Sequence, residues 1–200
     1  MAQVQPGGVH THAQFVLRRF GAFDGGDAQH VDAAIAAARD GLIVYLRGTL
    51  AASQADLVPL GRELDQVRAY LQIMSLRMGP RLSWRVDLPA ALADTPVPPM
   101  LLQPLVENAI KHGLEPKVGP GRIEVVVRAS DAGIEVCVDD DGLGLPQAAE
   151  AREVATPPHN GSYGLRHVRE RLQVLYGSAA RLDLERQQPA GVRARVVLPA

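Results

Sequence analysis

Apolar residues in the second part of the chain recur first with a helical period and then with an extended one. Between Leu57 and Met78 they follow alternating steps of three and four, which predicts one amphipathic helix that ends at Gly79. The pattern then predicts a strand, an irregular proline-rich approach and a second helix, over residues 82–88, 89–99 and 100–112. Pro99 stands near the start of this second helix and Gly113 at its end, as is typical of helix termini.

The downstream pattern predicts two pairs of strands that are separated by a loop and a helix. In order, these elements are a hairpin of strands 122–128 and 134–138, a loop over 139–162, a helix over 163–176, and strands 181–185 and 192–198. Paired antiparallel strands with helices on one face form an α+β sandwich, not a doubly wound parallel sheet. We therefore expect a two-layer α+β fold.

The first part of the chain has a helical pattern throughout. A short helix over 12–20, a glycine- and aspartate-rich turn over 24–27 and an alanine-rich helix over 29–50 predict an antiparallel hairpin. So small a hairpin buries little surface alone, and a partner chain would complete a four-helix bundle. The alternative is a hairpin packed on its own domain. We expect two domains, a helical hairpin at 1–52 and an α+β domain at 53–200.

Composition narrows the classes of function. Lys and Arg total 21 against 22 Asp and Glu, and this near-neutral balance gives no support for nucleic-acid binding. Cys137 is the single cysteine, so an internal disulfide is impossible and a reducing, cytoplasmic setting is expected. No apolar run approaches the ~18 residues of a membrane span. A membrane sensor segment, if one is used, would come from another segment or chain.

The first segment with candidate chemistry is the predicted helix that precedes Gly113. Helical spacing divides it into two sides, Leu105, Ala109 and His112 on one and Asn108, Lys111 and Glu115 on the other. The amide oxygen of Asn108 is a hard ligand that suits Mg²⁺. Lys111, one turn later, is placed to reach phosphate oxygens as a point charge. The alternative is a solvated polar helix face.

The second segment is the acidic run Asp139–Asp141, which directly follows a strand of the buried type. A carboxylate at that strand end can accept a hydrogen bond from an exocyclic amine. Gly142 and Gly144 allow the backbone to turn and to approach a flat ligand closely. The competing interpretations are a simple acidic turn and a Ca²⁺ loop, although the later bidentate Glu of an EF-hand is missing.

The third segment is a glycine-bearing loop, 160–165, that leads into the helix beginning at residue 163. Such a loop offers free backbone N–H groups and the positive end of the helix dipole to a phosphate. Ordinary helix caps have the same composition. The Gly-Lys-Ser/Thr ending of a P-loop is absent.

In this order the three segments resemble the N, G1 and G2 boxes of the GHKL (Bergerat) ATP-binding fold. The flanking helices, LGRELDQVRAYLQI and YGLRHVRERLQVLYG, look like those of the LytS-like sensor histidine kinases. The resemblance covers about 57–200. It implies a two-layer sandwich of the Bergerat type that binds ATP with Mg²⁺.

The resemblance also assigns roles to individual residues. It places at the ATP site Asn108, Lys111, His112, Asp140, Gly142, Gly144, Gly161, Gly164 and Leu165. Asn108 would coordinate Mg²⁺ between the phosphates, with Lys111 and His112 nearby. Asp140 would accept the adenine amino group.

The remaining assigned residues would enclose the two ends of the nucleotide. Gly142 and Gly144 would shape the adenine end, whereas Gly161, Gly164 and Leu165 would close over the phosphates. The segment from about residue 145 to 162 would be a mobile lid over the nucleotide.

The phosphoacceptor segment departs from the family pattern. The residues before Gly7 resemble the run-up to the family's phosphorylated histidine, but Gly7 stands where that histidine is expected, and the Phe-Leu-Phe-Asn that should follow is missing. His12 keeps a His-x-x-Phe spacing with Phe15 and is the first candidate acceptor, and His10 is the second.

The resemblance implies a dimeric sensor histidine kinase that autophosphorylates and passes the phosphoryl group to the receiver domain of a response regulator. The altered acceptor segment leaves a second hypothesis, a degenerate module that dimerises and binds ATP without phosphorylating itself. A third, another GHKL ATPase of the chaperone or topoisomerase type, fits less well because the chain is too short for their transducer domains.

Overall fold

The structure is a computed structural model that describes residues 57–145 and 163–199. The predicted hairpin, with His10 and His12, lies outside the described residues, and so does Gly161. The helices are α1 (Leu60–Met78), α2 (Gln103–Asn108), which continues as a π-helical turn (Ala109–Leu114), and α3 (Tyr163–Tyr176). The strands are β1 (Val58–Pro59), β2 (Leu82–Asp87), β3 (Pro96–Val97), β4 (Gly121–Ser130), β5 (Gly133–Asp140), β6 (Arg181–Arg186) and β7 (Val192–Leu198).

Five of these strands form one mixed sheet in the order β2-β4-β5-β7-β6. The pairs from β4 to β6 are antiparallel, as predicted, but β2 and β4 run parallel. The connection between β2 and β4 contains α2, and a helical crossover of this kind returns the chain in the same direction. The expected fold class is confirmed, with this one parallel pair added. β1 and β3 form a separate two-residue ladder beside the start of α1.

One face of the sheet is apolar and the other is charged. Ile123, Val125 and Val136 are fully buried and belong to the same core cluster as residues of all three helices. On the opposite face Arg193 donates two hydrogen bonds of 2.7 Å to the carboxylate of Asp139. This alternation along each strand is that of a sheet with helices on one side and solvent on the other, and it gives the two layers that the sequence predicts.

The second helix starts later than predicted and ends differently. It begins at Gln103 rather than at residue 100, with Pro104 instead of Pro99 in its first turn. Met100, in the approach, has a φ of 59°, which is unusual for a residue with a side chain. The last turn is π-helical, and the N–H of Glu115 donates to the carbonyl of Ile110, five residues back.

Strand β5 is longer than predicted, and this places the acidic segment. It extends to Asp140, whereas the sequence pattern ends the strand at residue 138 and assigns 139–162 to a loop. Asp139 and Asp140 are therefore held by the sheet ladder, opposite Arg193 and Val192 of β7. Because successive side chains of a strand point to opposite faces, Asp139 faces solvent and Asp140 faces the helical layer.

Candidate functional site

The π-helical turn decides which residues of the second helix face the sheet. Leu105 and Ala109 are buried, as the helical spacing predicts, but His112 is exposed, so its placement on their side is wrong. A π turn takes more residues than an α turn, so Gly113 rather than His112 lies one turn beyond Ala109, and Gly113 is buried. Asn108, the last α-helical residue, is half-buried and stands at the start of this turn.

Asp140 and Gly113 meet where the second helix ends against β5. Asp140 is only 6% exposed, and its Oδ1 accepts a hydrogen bond of 2.8 Å from the N–H of Gly142. A Cβ atom added to Gly113 would lie 2.7 Å from that same Oδ1. The N–H of Leu143 donates to the carbonyl oxygen of Gly113 at 3.2 Å, which ties the chain after β5 to the helix.

Two further glycines make this close packing possible. A Cβ on Gly142 would lie 2.4 Å from the Cα of Gly113, and a Cβ on Gly191 would lie 1.9 Å from the carbonyl oxygen of Asp140. Gly144 has a φ of 80°, which favours glycine. Sequence reasoning identified Gly142 and Gly144 but treated Gly113 only as a helix stop and did not consider Gly191. A glycine that directly follows a helix of site residues is the signal that was available.

Burial changes the acidity of Asp140. It raises the pKa of this carboxyl to about 6, and the neighbouring carboxylates of Asp141 and Asp139 act in the same direction. The N–H groups of Gly142 and Val192 lower the pKa and partly oppose that rise. At neutral pH the group is mostly ionised, so a hydrogen-bond acceptor with negative charge sits in a largely buried position.

A small polar network fixes the loops around Asp140. Lys117 donates from Nζ to the carbonyl oxygen of Asp141 at 2.7 Å and lies 2.9 Å from its Oδ1. The N–H of Arg122 donates to the same Oδ1 at 2.8 Å, and Arg81 Nε donates to the carbonyl oxygen of Gly119 at 3.0 Å. These contacts hold the loop after the second helix against the chain that follows β5.

The start of α3 lies beside the start of α2. A Cβ on Gly164 would be 3.2 Å from the Cβ of Pro104. Pro104 and Asn108 are four residues apart on α2 and so share one side of that helix. Leu165, next to Gly164, is buried in the core and anchors this end of α3. The structure thus places Gly164 along the same side of α2 as Asn108.

Lys111 and His112 are exposed on the π turn, between Asn108 and Gly113. The structure brings neither of them into contact with Asp140 or Gly142, so their placement near a triphosphate stays a prediction. Gly161, which the same resemblance assigned to the phosphates, lies outside the described ranges.

The described residues of the candidate site fit a magnesium ion only together with phosphate oxygens and water. They contain no group of three His, Cys, Asp or Glu side chains that would hold a metal by themselves. Asn108 offers a single hard oxygen, and Mg²⁺ is commonly bound through one or two protein oxygens, substrate phosphates and water. The donor set therefore fits a magnesium ion that is completed by phosphate oxygens, and not a resident metal centre.

Two family models match the chain. The one described as histidine kinase-, DNA gyrase B- and HSP90-like ATPase covers residues 97–200, about half of the chain. The one described as histidine kinase covers residues 28–82. Both agree with the resemblance that the three boxes carry.

Curated relatives are sensor proteins. The chain is 30% identical over 158 residues to the sensor protein LytS of Enterococcus faecalis, an alignment that covers 78% of this chain and 27% of that protein. It is 32% identical over 146 residues to the sensor histidine kinase YpdA of Escherichia coli, which covers 72% of this chain and 25% of that protein. The chain thus spans about a quarter of the length of these relatives.

Solved histidine kinases share the fold. The histidine kinase domain of a blue-light activated kinase from Erythrobacter litoralis matches with a TM-score of 0.54 and 19% identity, covering 94% of this chain and 82% of that one. The catalytic domain of the histidine kinase ThkA matches with a TM-score of 0.53 and 18% identity, covering 72% of this chain and 94% of that one.

Among the described residues, no helix is both long enough and apolar enough to cross a lipid bilayer. The two-layer fold agrees with the longer of the two family matches. The chain belongs to the family of histidine kinase-, DNA gyrase B- and HSP90-like ATPases.

Proposed function

We propose that this chain is the cytoplasmic, ATP-binding catalytic portion of a sensor histidine kinase in a two-component system. It binds Mg²⁺·ATP, transfers the γ-phosphoryl group to a histidine, and passes that group to the receiver domain of a response regulator. The observation that carries the proposal is the buried carboxylate of Asp140, bounded by the backbones of Gly113 and Gly142. A flat heterocycle with an exocyclic amine matches that shape and that acceptor.

The direction of the nucleotide follows from the order of groups along the second helix. The purine lies at Asp140 and Gly113, and the triphosphate runs back toward Asn108 and Gly164. From Gly113 to Pro104 the helix spans roughly 13 Å at a rise of 1.5 Å per residue. This distance is comparable with the reach of an extended ATP molecule from its purine to its terminal phosphate.

The transfer step needs few protein groups. An imidazole nitrogen attacks the γ-phosphorus, a P–N bond forms, the bond to the β,γ-bridging oxygen breaks, and ADP leaves with that electron pair. Asn108 would hold the magnesium ion, which offsets the charge that develops on the phosphate oxygens. The histidine must be exposed and neutral for its nitrogen to attack. Our first candidate is His12 and our second is His10.

The partners belong to the same proposal. A homodimer would form through the helical hairpin at 1–52, and the domain at 53–200 would carry the nucleotide. The support is the match of the histidine kinase family model to residues 28–82 and the printed names of the relatives as sensor kinases.

A test of transfer uses ATP labelled at the γ-phosphate, Mg²⁺ and the purified chain. We expect acid-labile label on the parent chain, loss of the label in His12→Ala, and retention in His10→Ala. Loss of the label in His10→Ala alone would identify His10, and not His12, as the acceptor. A chain that binds ATP but gains no label under any condition would contradict the kinase proposal. That result would favour the alternative, a regulatory module that dimerises and binds ATP without phosphorylating itself, which Gly7 and the altered acceptor segment motivate.

A further inference from the structure

A buried carboxylate lies away from the purine end of the site, at the start of α2. Glu63 of α1 is only 1% exposed, and both of its oxygens accept hydrogen bonds from the backbone. Oε1 accepts from the N–H of Met100 at 2.8 Å, and Oε2 accepts from the N–H groups of Leu101 and Leu102 at 2.9 and 3.1 Å. Three consecutive N–H groups therefore converge on one side chain.

These three N–H groups belong to the segment that leads directly into α2, and the last of them is that of its N-cap residue, Leu102. Leu102 directly precedes α2, and no side chain of its own caps the helix. The first N–H groups of a helix lack carbonyl partners within it and carry its partial positive charge. Glu63 supplies an acceptor from another helix for the N–H of Leu102 and for the two N–H groups before it.

The segment that Glu63 holds is unusually constrained. Met100 has a φ of 59°, a conformation that is unfavourable for a residue with a side chain and persists where surrounding contacts impose it. From the other side, Arg171 of α3 donates to the carbonyl oxygen of Pro99 at 2.9 Å. Helices α1 and α3 thus fix the same short segment, 99–102, from two directions.

The two ends of the second helix are held by different groups. Its final turn is tied to the chain that follows β5 by the hydrogen bond from the N–H of Leu143 to the carbonyl oxygen of Gly113 and by the packing of Gly142. Its start, with Pro104 beside Gly164, depends on the segment that Glu63 binds. Asn108 lies on this first, α-helical part.

We propose that Glu63 is a positioning residue of the nucleotide site, which fixes the start of α2 and with it the place of Asn108 and of the phosphate end. The inference rests on the function proposed above, and it concerns the phosphates and magnesium alone. Purine binding, which uses Asp140 and Gly113, is independent of Glu63.

The test compares two ligands on the chain with Glu63→Gln. An amide keeps one acceptor oxygen and presents an N–H₂ group to N–H donors, so at least one of the three backbone bonds is lost. We expect the affinity for Mg²⁺·ATP, measured by calorimetry, to fall about tenfold. The affinity for adenosine, measured by NMR titration, should change by less than twofold.

Asp65→Asn is the matched control, because Asp65 is an exposed acidic residue on the same helix whose carboxylate pairs with Arg68 one turn away. It should leave both affinities unchanged. A purely structural role for Glu63 would lower stability to urea and would leave the two affinities unchanged or reduce them together. Either result in a folded Glu63→Gln variant overturns the inference. A parent chain that fails to bind Mg²⁺·ATP contradicts the proposed function instead.

Hydrogen exchange on the unaltered chain gives a second readout if the variant does not fold. We expect Mg²⁺·ATP to slow amide exchange at residues 100–102 by at least threefold more than adenosine does. Equal effects of the two ligands would show that this segment is not coupled to the phosphate end.

Discussion

At the scale of single residues, the candidate site contains a carboxylate, that of Asp140, whose ionisation is made unfavourable by burial. Asp140 is nearly inaccessible to solvent, and its pKa of about 6 lies above the ordinary value for an aspartate. The folded chain therefore binds a proton at Asp140 more tightly than the unfolded chain does. A neutral side chain at this position would avoid the free-energy cost of ionising a buried carboxyl group. It would also remove the carboxylate oxygen that, in our proposal, accepts a hydrogen bond from the purine amine.

The free energy of unfolding of Asp140→Asn is therefore expected to increase, relative to that of the parent chain, as the pH rises. Between about pH 4 and pH 6 the folded parent holds a proton that the unfolded chain releases, so the contribution of Asp140 to stability is greatest at low pH and is lost above about pH 6. The stability of the variant relative to the parent should rise by about 3 kcal/mol between pH 3 and pH 7, because folding raises the pKa of Asp140 from 3.8 to about 6 and each tenfold change in proton affinity is worth about 1.4 kcal/mol. Urea unfolding of both chains across this range gives the comparison. A difference that does not grow with pH would be inconsistent with a raised pKa.

At the scale of elements, the order of helices and strands could be predicted from the sequence. Apolar residues repeat every three or four positions in a helix that buries one face and every second position in a strand that does so. The helix over 57–78 and the strand pairs were identified within a few residues of their observed bounds. The π-helical turn could not be predicted, because the apolar pattern of residues 100–112 is that of an ordinary α-helix. The parallel pairing of β2 with β4 likewise depends on contacts that a periodic pattern does not contain.

The candidate site was predictable in part for a related reason. Asp140, Gly142 and Asn108 lie in short motifs whose chemistry is readable along the chain. Glu63 is distant in sequence from the segment that it binds, and its position in an amphipathic helix resembles that of any other polar residue. Only the fold shows that this glutamate is buried.

Gly113→Ala tests the junction between the second helix and β5. Replacement of glycine by alanine within a helix ordinarily stabilises it by about 1 kcal/mol. Here the added Cβ would come 2.7 Å from Asp140 Oδ1, so the carboxylate or the helix must shift. We expect a loss of stability of about 1–3 kcal/mol and at least a tenfold weaker affinity for adenosine, measured by urea unfolding and NMR titration. A variant as stable as its parent, with unchanged adenosine affinity, would show that this close contact is not needed.

At the scale of the whole molecule, the two faces of the sheet differ, and the candidate site lies on the face that carries the helices. Charged side chains, among them the ion pair of Arg193 with Asp139, cover the face that has no helices. The other face packs against α1, α2 and α3. In the function that we propose, the two ends of the second helix would hold the purine and the phosphates. Neighbouring carboxylates on β5, Asp139 and Asp140, therefore have different surroundings and different expected roles.

The central claim is that a purine binds at Asp140 with its triphosphate along the second helix, and calorimetric titration of the purified chain with Mg²⁺·ATP tests it most directly. We predict saturable binding of one nucleotide per chain, an affinity at least tenfold weaker in Asp140→Asn, and an unchanged affinity in Asp139→Asn, whose carboxylate is on the opposite face of the same strand. Absence of nucleotide binding by the parent chain, or equal affinities for the parent and Asp140→Asn, would contradict the account.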